Sequence, residues 1–229
     1  MVIVNDFLGS TKIIVYYQLL IFLFATFFLP LKRKSNKVFY CILIYYTVTE
    51  IITVTLNVLI KNETNRLFLN SINYELSFIV TFLLWFFLLE QNGIRKKLMR
   101  YIYLFFLTFV VIDFFVIQKD DDLKTYMFCM GSFLYLITFF VFSFNKLKSE
   151  DFNFILSNDY RLLSAPILMF FGLSLIFAFV NSDIGDIKII TNYNLYSIIT
   201  DYINFVSYTI FLWYIYIEYR NHKRVIPEE

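Results

Sequence analysis

Seven runs of about 20 mostly apolar residues recur along this 229-residue chain, with only short polar connections between them. They cover residues 13–31, 38–60, 72–89, 98–117, 124–144, 162–180 and 193–217. In hydrocarbon each backbone N–H and C=O must be satisfied within the segment, so runs of this length read as membrane-crossing helices. The expected fold is all-α, a polytopic transmembrane bundle of seven helices forming one domain over residues 1–229. Hydrophobic residues make up 59% of the chain, against roughly 45–50% in a soluble domain. The first run follows no basic segment and ends without a small-residue cleavage site, so it reads as a retained span.

Basic residues orient the bundle. Fourteen Lys and Arg residues fall on alternate connections, in the clusters Lys32–Lys37, Arg95–Arg100, Lys146–Arg161 and Arg220–Arg224. The other connections hold six. The positive-inside rule then places the N-terminus outside and the C-terminus in the cytoplasm. The inner connection 145–161 offers a short interfacial helix with Ser149 as its cap and Phe152, Ile155 and Leu156 on one side; an irregular loop fits it equally. The outer connection 183–194 carries Gly and Asn turn signals and a short apolar run.

Polar residues inside the spans are the candidates for function. Glu50 lies near the middle of the second span, with Thr53 and Asn57 one and two turns on and Tyr46 and Thr47 one turn back. A carboxylate at that depth is costly and turns to a bundle interior. In the seventh span Asn194, Ser197, Asp201, Asn204 and Tyr208 follow a 3, 4, 3, 4 spacing that makes one polar stripe. Asn73, Ser77 and Thr81 make a shorter one in the third span, beside Glu75, and Asp113 sits near the outer end of the fourth. The expected site is an outward-facing polar cavity built from Glu50, Thr53, Asn57, Asn73, Glu75, Asp113, Ser197, Asp201, Asn204 and Tyr208, able to bind a proton, a cation or a small molecule. The bland alternative is that the Asn, Ser and Thr residues are interhelical hydrogen-bond glue. No span core holds a Lys or Arg to pair with Glu50 or Asp201.

Several chemistries lack their residues. The last span has no lysine for a retinal Schiff base, and the single histidine, His222, lies in the basic tail. No His/Cys cluster, Gly-rich phosphate loop or intramembrane GxGD is present, so no catalytic residue, metal or cofactor is assigned. Cys41 and Cys129 lie in apolar runs and read as small buried hydrophobes, not as a disulfide. Basic residues in short clusters give no face for nucleic acid. With only 5 glycines, GxxxG contacts cannot dominate the packing, and large side chains must interdigitate; Gly172, Ser174 and Ala178 are the candidate close-approach points.

The stretches YTVTEIITVTLN with Glu50, FLNSINYELSFIVTFLLWFF with Asn73 and Glu75, and NLYSIITDYINFVSYTIFLWYI with Asp201 and Asn204 carry a resemblance. Over its whole length the chain resembles a group of small, uncharacterised seven-span membrane proteins from AT-rich bacterial genomes. The resemblance implies a bacterial inner-membrane bundle and no reaction. The first functional reading is a non-enzymatic sensor or receptor-like module, with the bilayer around it and a protein partner at its cytoplasmic loops. The second is a proton- or cation-coupled transporter or channel using Glu50 and Asp201. A lipid-modifying enzyme lacks a catalytic set, and a structural membrane subunit is the fourth reading.

Overall fold

The computed structural model describes residues 13–118, 124–178, 188–190 and 193–225. Its helices are α1 Ile13–Phe28, α2 Lys34–Leu59, α3 Glu63–Gln91, α4 Lys96–Ile112, α5 Thr125–Lys148, the one-turn α6 Phe152–Ile155, α7 Asn158–Ala178 and α8 Leu195–Val225. A π turn, Asp113–Ile117, extends α4. Ahead of α8, β1 Lys188–Ile190 pairs antiparallel with β2 Tyr193–Asn194, a small ladder within the expected outer loop. Each of the seven apolar runs falls on one long helix. Five of these, α2, α3, α4 with its π turn, α5 and α7, are long and apolar enough to cross a membrane; a shorter apolar helix covers Ile14–Phe28. Large apolar side chains such as Phe27, Leu59, Leu104, Phe115 and Phe144 point outward, a surface suited to lipid rather than water. The chain is all-α in its long elements and has the helices of an integral membrane protein.

Two boundaries depart clearly from the sequence reading, one of them the end of α8, which runs on to Val225, well past residue 217. The third helix starts at Glu63, nine residues before the apolar run. Asn62 caps it by accepting from the Asn65 N–H at 3.1 Å, and Glu63 supplies an acidic first turn. The apparent polar loop is therefore helix, and only residues 60–62 join α2 to α3. In the connection 149–151, Asp151 and not Ser149 caps α6, accepting from the Phe154 N–H at 3.2 Å. Ser149 donates to the Lys146 carbonyl at 3.0 Å instead. The Lys146 ammonium, 2.7 Å from Asp151, and then the Phe154 N–H hold this carboxyl below its usual value.

Consecutive long helices run antiparallel, so the connections after α1, α3 and α5 and the end of α8 meet at one end, called the basic end here. The core between them is aromatic. Trp85, Phe82, Phe86, Tyr135, Phe170 and Phe211 are fully buried. Phe82 and Phe170 stand 4.7 Å apart, Tyr135 meets Phe170 edge-on at 5.1 Å, and Trp85 stacks on Phe211 at 5.9 Å. Glycine makes room at two points. A Cβ on Gly131 of α5 would lie 2.5 Å from the Phe82 ring, and one on Gly172 of α7 would strike Ile203 of α8. Pro166 sits inside α7 and removes one helical hydrogen bond. Around that break, neighbouring helices donate to carbonyls of α7: Tyr135 to Leu163 at 2.7 Å and Ser207 to Ala165 at 3.2 Å. Both cysteines are free; Cys129 is half-buried, while Cys41 lies on the outer surface and is not the buried hydrophobe expected.

Gly131→Ala should lower stability by about 1–3 kcal/mol, because the Phe82 ring is locked on all sides. Gly172→Ala should cost less, since the atom it meets is the tip of a flexible Ile203. Thermal unfolding of both variants in one detergent checks the order.

Candidate functional site

The polar residues expected to share one cavity fall into three groups. The first is a ladder between α2 and α3. Asn70 donates to Asn57 at 2.9 Å, Asn73 donates to Thr53 at 3.0 Å and to the Thr49 carbonyl at 3.1 Å, and Thr49 donates to Ser77 at 3.4 Å. Thr53, Asn57 and Asn73 thus set the register of an antiparallel helix pair, and Asn57 is exposed. This is the glue role of such residues.

The second group caps α5. The first N–H groups of a helix have no partner within it, and in a buried setting each must find an acceptor. Here the acceptors come from other helices. Glu75 of α3 accepts from the Lys124 N–H at 3.0 Å, and Asp113 accepts from the Met127 N–H at 2.9 Å. Gln118 accepts from the Tyr126 N–H at 2.8 Å. The π turn places Asp113, fully buried, over that helix end. Both carboxylates also favour the positive end of the α5 dipole. Glu75 and Asp113 therefore fasten α3 and α4 to α5 and do not line the central cavity.

The third group is a cavity of about 150 Å³ in the middle of the bundle, in the half away from the basic end. Six of the long helices reach it: Gln18 from α1, Glu50 from α2, Ser77 from α3, Phe128 from α5, Phe170 from α7, and Asn204 with Tyr208 from α8. Three expected residues, Glu50, Asn204 and Tyr208, come together here. Asp201 does not line it and is exposed; one turn before Asn204, its side chain falls outside the six-helix contact. The side chain of Ser197 lies outside the described residues. Gln18 was not expected. It is 5% exposed, its Oε1 accepts from the Tyr208 hydroxyl at 2.7 Å, and its Nε2 has no hydrogen-bond partner among the described residues. Its only sequence signal is being the one amide in the first apolar run.

A further network, invisible in local spacing, closes the basic end. Glu218 of α8, 4% exposed, accepts from Arg33 at 3.0 and 3.1 Å, from Asn36 at 3.1 Å and from Asn158 at 2.9 Å. Arg33 also pairs with Asp159, Asn36 donates to the Pro30 carbonyl at 2.8 Å, and Tyr214 donates to Asn36. Burial opposes the Arg33 charge, but Asp159 and Glu218 outweigh it, so the guanidinium is held above its ordinary value and stays charged. From this network a packed column runs up to the cavity. Phe39 touches Tyr214 at 5.3 Å and Phe211 at 5.1 Å, Phe211 meets Tyr208 at 6.0 Å, and Tyr208 holds Gln18.

Asp113→Ala should destabilise the protein by about 1–3 kcal/mol by stranding the buried Met127 N–H. Asp201→Ala, on an exposed position, should stay within about 0.5 kcal/mol of wild type. Paired thermal melts in detergent test the contrast.

In comparisons with protein-family models, with curated proteins and with solved structures, nothing matches this chain.

Proposed function

We propose that the protein is a seven-span, non-enzymatic sensor of the bacterial cytoplasmic membrane, with its N-terminus outside and its basic end in the cytoplasm. The cavity at Glu50 takes a proton or a small monovalent cation with its water. Its volume of about 150 Å³ suits a few waters and an ion, whereas pockets for drug-sized ligands run to roughly 300–1,000 Å³. Glu50 supplies the negative charge, and the Gln18 Nε2 donates to a water. The single observation that carries the sensor reading is the column from Gln18 through Tyr208, Phe211 and Tyr214 to the Arg33–Glu218 network. It links an occupiable site to the basic end through ring contacts and hydrogen bonds. A partner at the cytoplasmic loops would receive the state.

The transporter reading draws on the same Glu50. A transport path needs polar surface on both sides of its site. Fully buried Trp85, Phe170 and Phe211 beneath the cavity, and an Asp201 outside it, weigh against such a path.

Trp85 reports on the cavity, because its indole N–H donates at 3.0 Å to the hydroxyl of Tyr46, which lines it. In a Trp213→Phe background Trp85 is the single tryptophan. Its emission should shift as pH or Na⁺ is titrated, and Glu50→Gln should abolish the shift. The same protein in liposomes should pass no protons or Na⁺; flux that Glu50→Gln removes would make this a transporter. Tyr214→Phe should leave the Trp85 titration in place while loosening the Arg33–Glu218 network, read as faster trypsin cleavage in the loop around Arg33.

A further inference from the structure

A second cavity, of about 700 Å³, lies between α4 and α5 at the basic end and shares no lining residue with the Glu50 cavity. The α4 helix is the most peripheral of the long helices that qualify as spans: only 17% of its apolar window is buried, against 33–50% in the other four. Its main packing partners among the long helices are α3 and α5, and the cleft opens along its flank. The cleft has two chemically distinct parts. Its walls are Leu98, Ile102, Leu134, Ile137 and Val141. Its mouth is Arg95, Asn145 and Lys146. From Leu134 to Asn145 along α5 is about 16 Å, close to half of a hydrocarbon core roughly 30 Å thick. The apolar part therefore runs the depth of a single leaflet.

The mouth is arranged for an anion. Lys146 is already engaged, by Asp151 at 2.7 Å and by the Phe154 ring at 4.8 Å. Arg95 is exposed and in no ion pair among the described residues. It is also the N-cap of α4 and gives that helix no side-chain hydrogen bond, so the first N–H groups of α4 keep their capacity for an acceptor. Gly93, at φ +110°, turns the chain sharply just before Arg95 and leaves open space where a Cβ would stand. A phosphate at this point meets one free guanidinium and an uncapped helix end, and an acyl chain attached to it meets a leaflet-deep apolar wall.

We infer that the α4–α5 cleft is a binding site for an anionic phospholipid of the leaflet at the basic end, with its phosphate at Arg95 and the start of α4 and one acyl chain along Ile102, Leu134 and Ile137. Basic pockets between membrane helices on the cytoplasmic side take such head groups by the same combination. The inference requires the chain to lie in a bilayer and is independent of what occupies the Glu50 cavity.

The test uses the full chain in neutral detergent, titrated with phosphatidylglycerol, phosphatidylcholine or inorganic phosphate, and reads both the unfolding midpoint and the lipid retained in native mass spectra. Phosphatidylglycerol should raise the midpoint and remain bound at one equivalent, with phosphatidylcholine clearly weaker. Arg95→Gln should weaken phosphatidylglycerol about fivefold. Ile137→Trp, at a position already 45% exposed, should fill the cleft and remove the bound equivalent. Neither substitution should move the lipid-free midpoint, and Glu50→Gln should leave lipid binding intact. Equal binding of the two lipids with no effect of Arg95→Gln would reduce the cleft to ordinary annular contact and overturn the inference. So would an Ile137→Trp variant that still retains its lipid, or inorganic phosphate that alone reproduces the midpoint shift.

Discussion

Polar groups inside a hydrocarbon-facing bundle must be satisfied by the protein itself, and this requirement decides which helices are neighbours. A soluble core can leave a helix end or a serine to water; a span cannot. Here the start of α5 is satisfied by Glu75, Asp113 and Gln118, residues from α3 and from the end of α4. Carbonyls around Pro166 in α7 are satisfied from α5 and α8. Glu218 is satisfied from the α1–α2 connection, α2 and α7. Aromatic packing supplies most of the contact area, but rings tolerate several arrangements. The hydrogen bonds between helices are directional and remove those alternatives, even though each contributes only about 0.6 kcal/mol on average.

The seven apolar runs were legible because length and hydropathy are properties of a segment by itself. The start of α3 was not, because ETNRLFLN is polar on average while its helix is set by one local bond, Asn62 to the Asn65 N–H. The site divides along the same line. A 3, 4, 3, 4 stripe on α8 identifies a polar face, and Asn204 and Tyr208 on it do reach the cavity. Periodicity cannot say where a neighbouring helix stops covering that face, and Asp201 lies past that point. Glu75 and Asp113 look like cavity carboxylates from composition alone. Only the α5 start, whose Lys124 N–H lies 49 residues on from Glu75 and whose Met127 N–H lies 14 on from Asp113, makes them caps. Gln18 and Glu218 act on partners up to 190 and 185 positions away, beyond the reach of any local pattern.

Two polar centres therefore sit at different depths, and what separates them bears on function. Between the Glu50 cavity and the Glu218 network lie the packed rings of Tyr208, Phe211, Phe39 and Tyr214. The groups around Glu50 are in van der Waals and hydrogen-bond contact with groups that hold the α1–α2 connection, α7 and α8 together. In the proposed sensor, that contact is what would couple the two centres, provided the coupling energy is large enough.

The magnitudes allow it. Coupling between two sites in a responsive protein is typically about 1–3 kcal/mol. Neutralising one carboxylate changes its interaction with a charge 4 Å away by about 4 kcal/mol at an effective dielectric of 20, and the change is weaker for the dipoles of an amide or a phenol. A change of state at Glu50 that transmits even part of this to Tyr208 suffices to bias the column without moving a helix by a full turn. Tyr208 is the natural receiver. It lines the cavity, its hydroxyl is committed to Gln18, and its ring rests on Phe211. Any reorientation that Glu50 imposes on that hydroxyl would be taken up by Gln18, whose buried Nε2 has no hydrogen-bond partner among the described residues, or by the ring below it. The cavity and the column are thus two ends of one packed unit, with Gln18 as the side chain best placed to have two states.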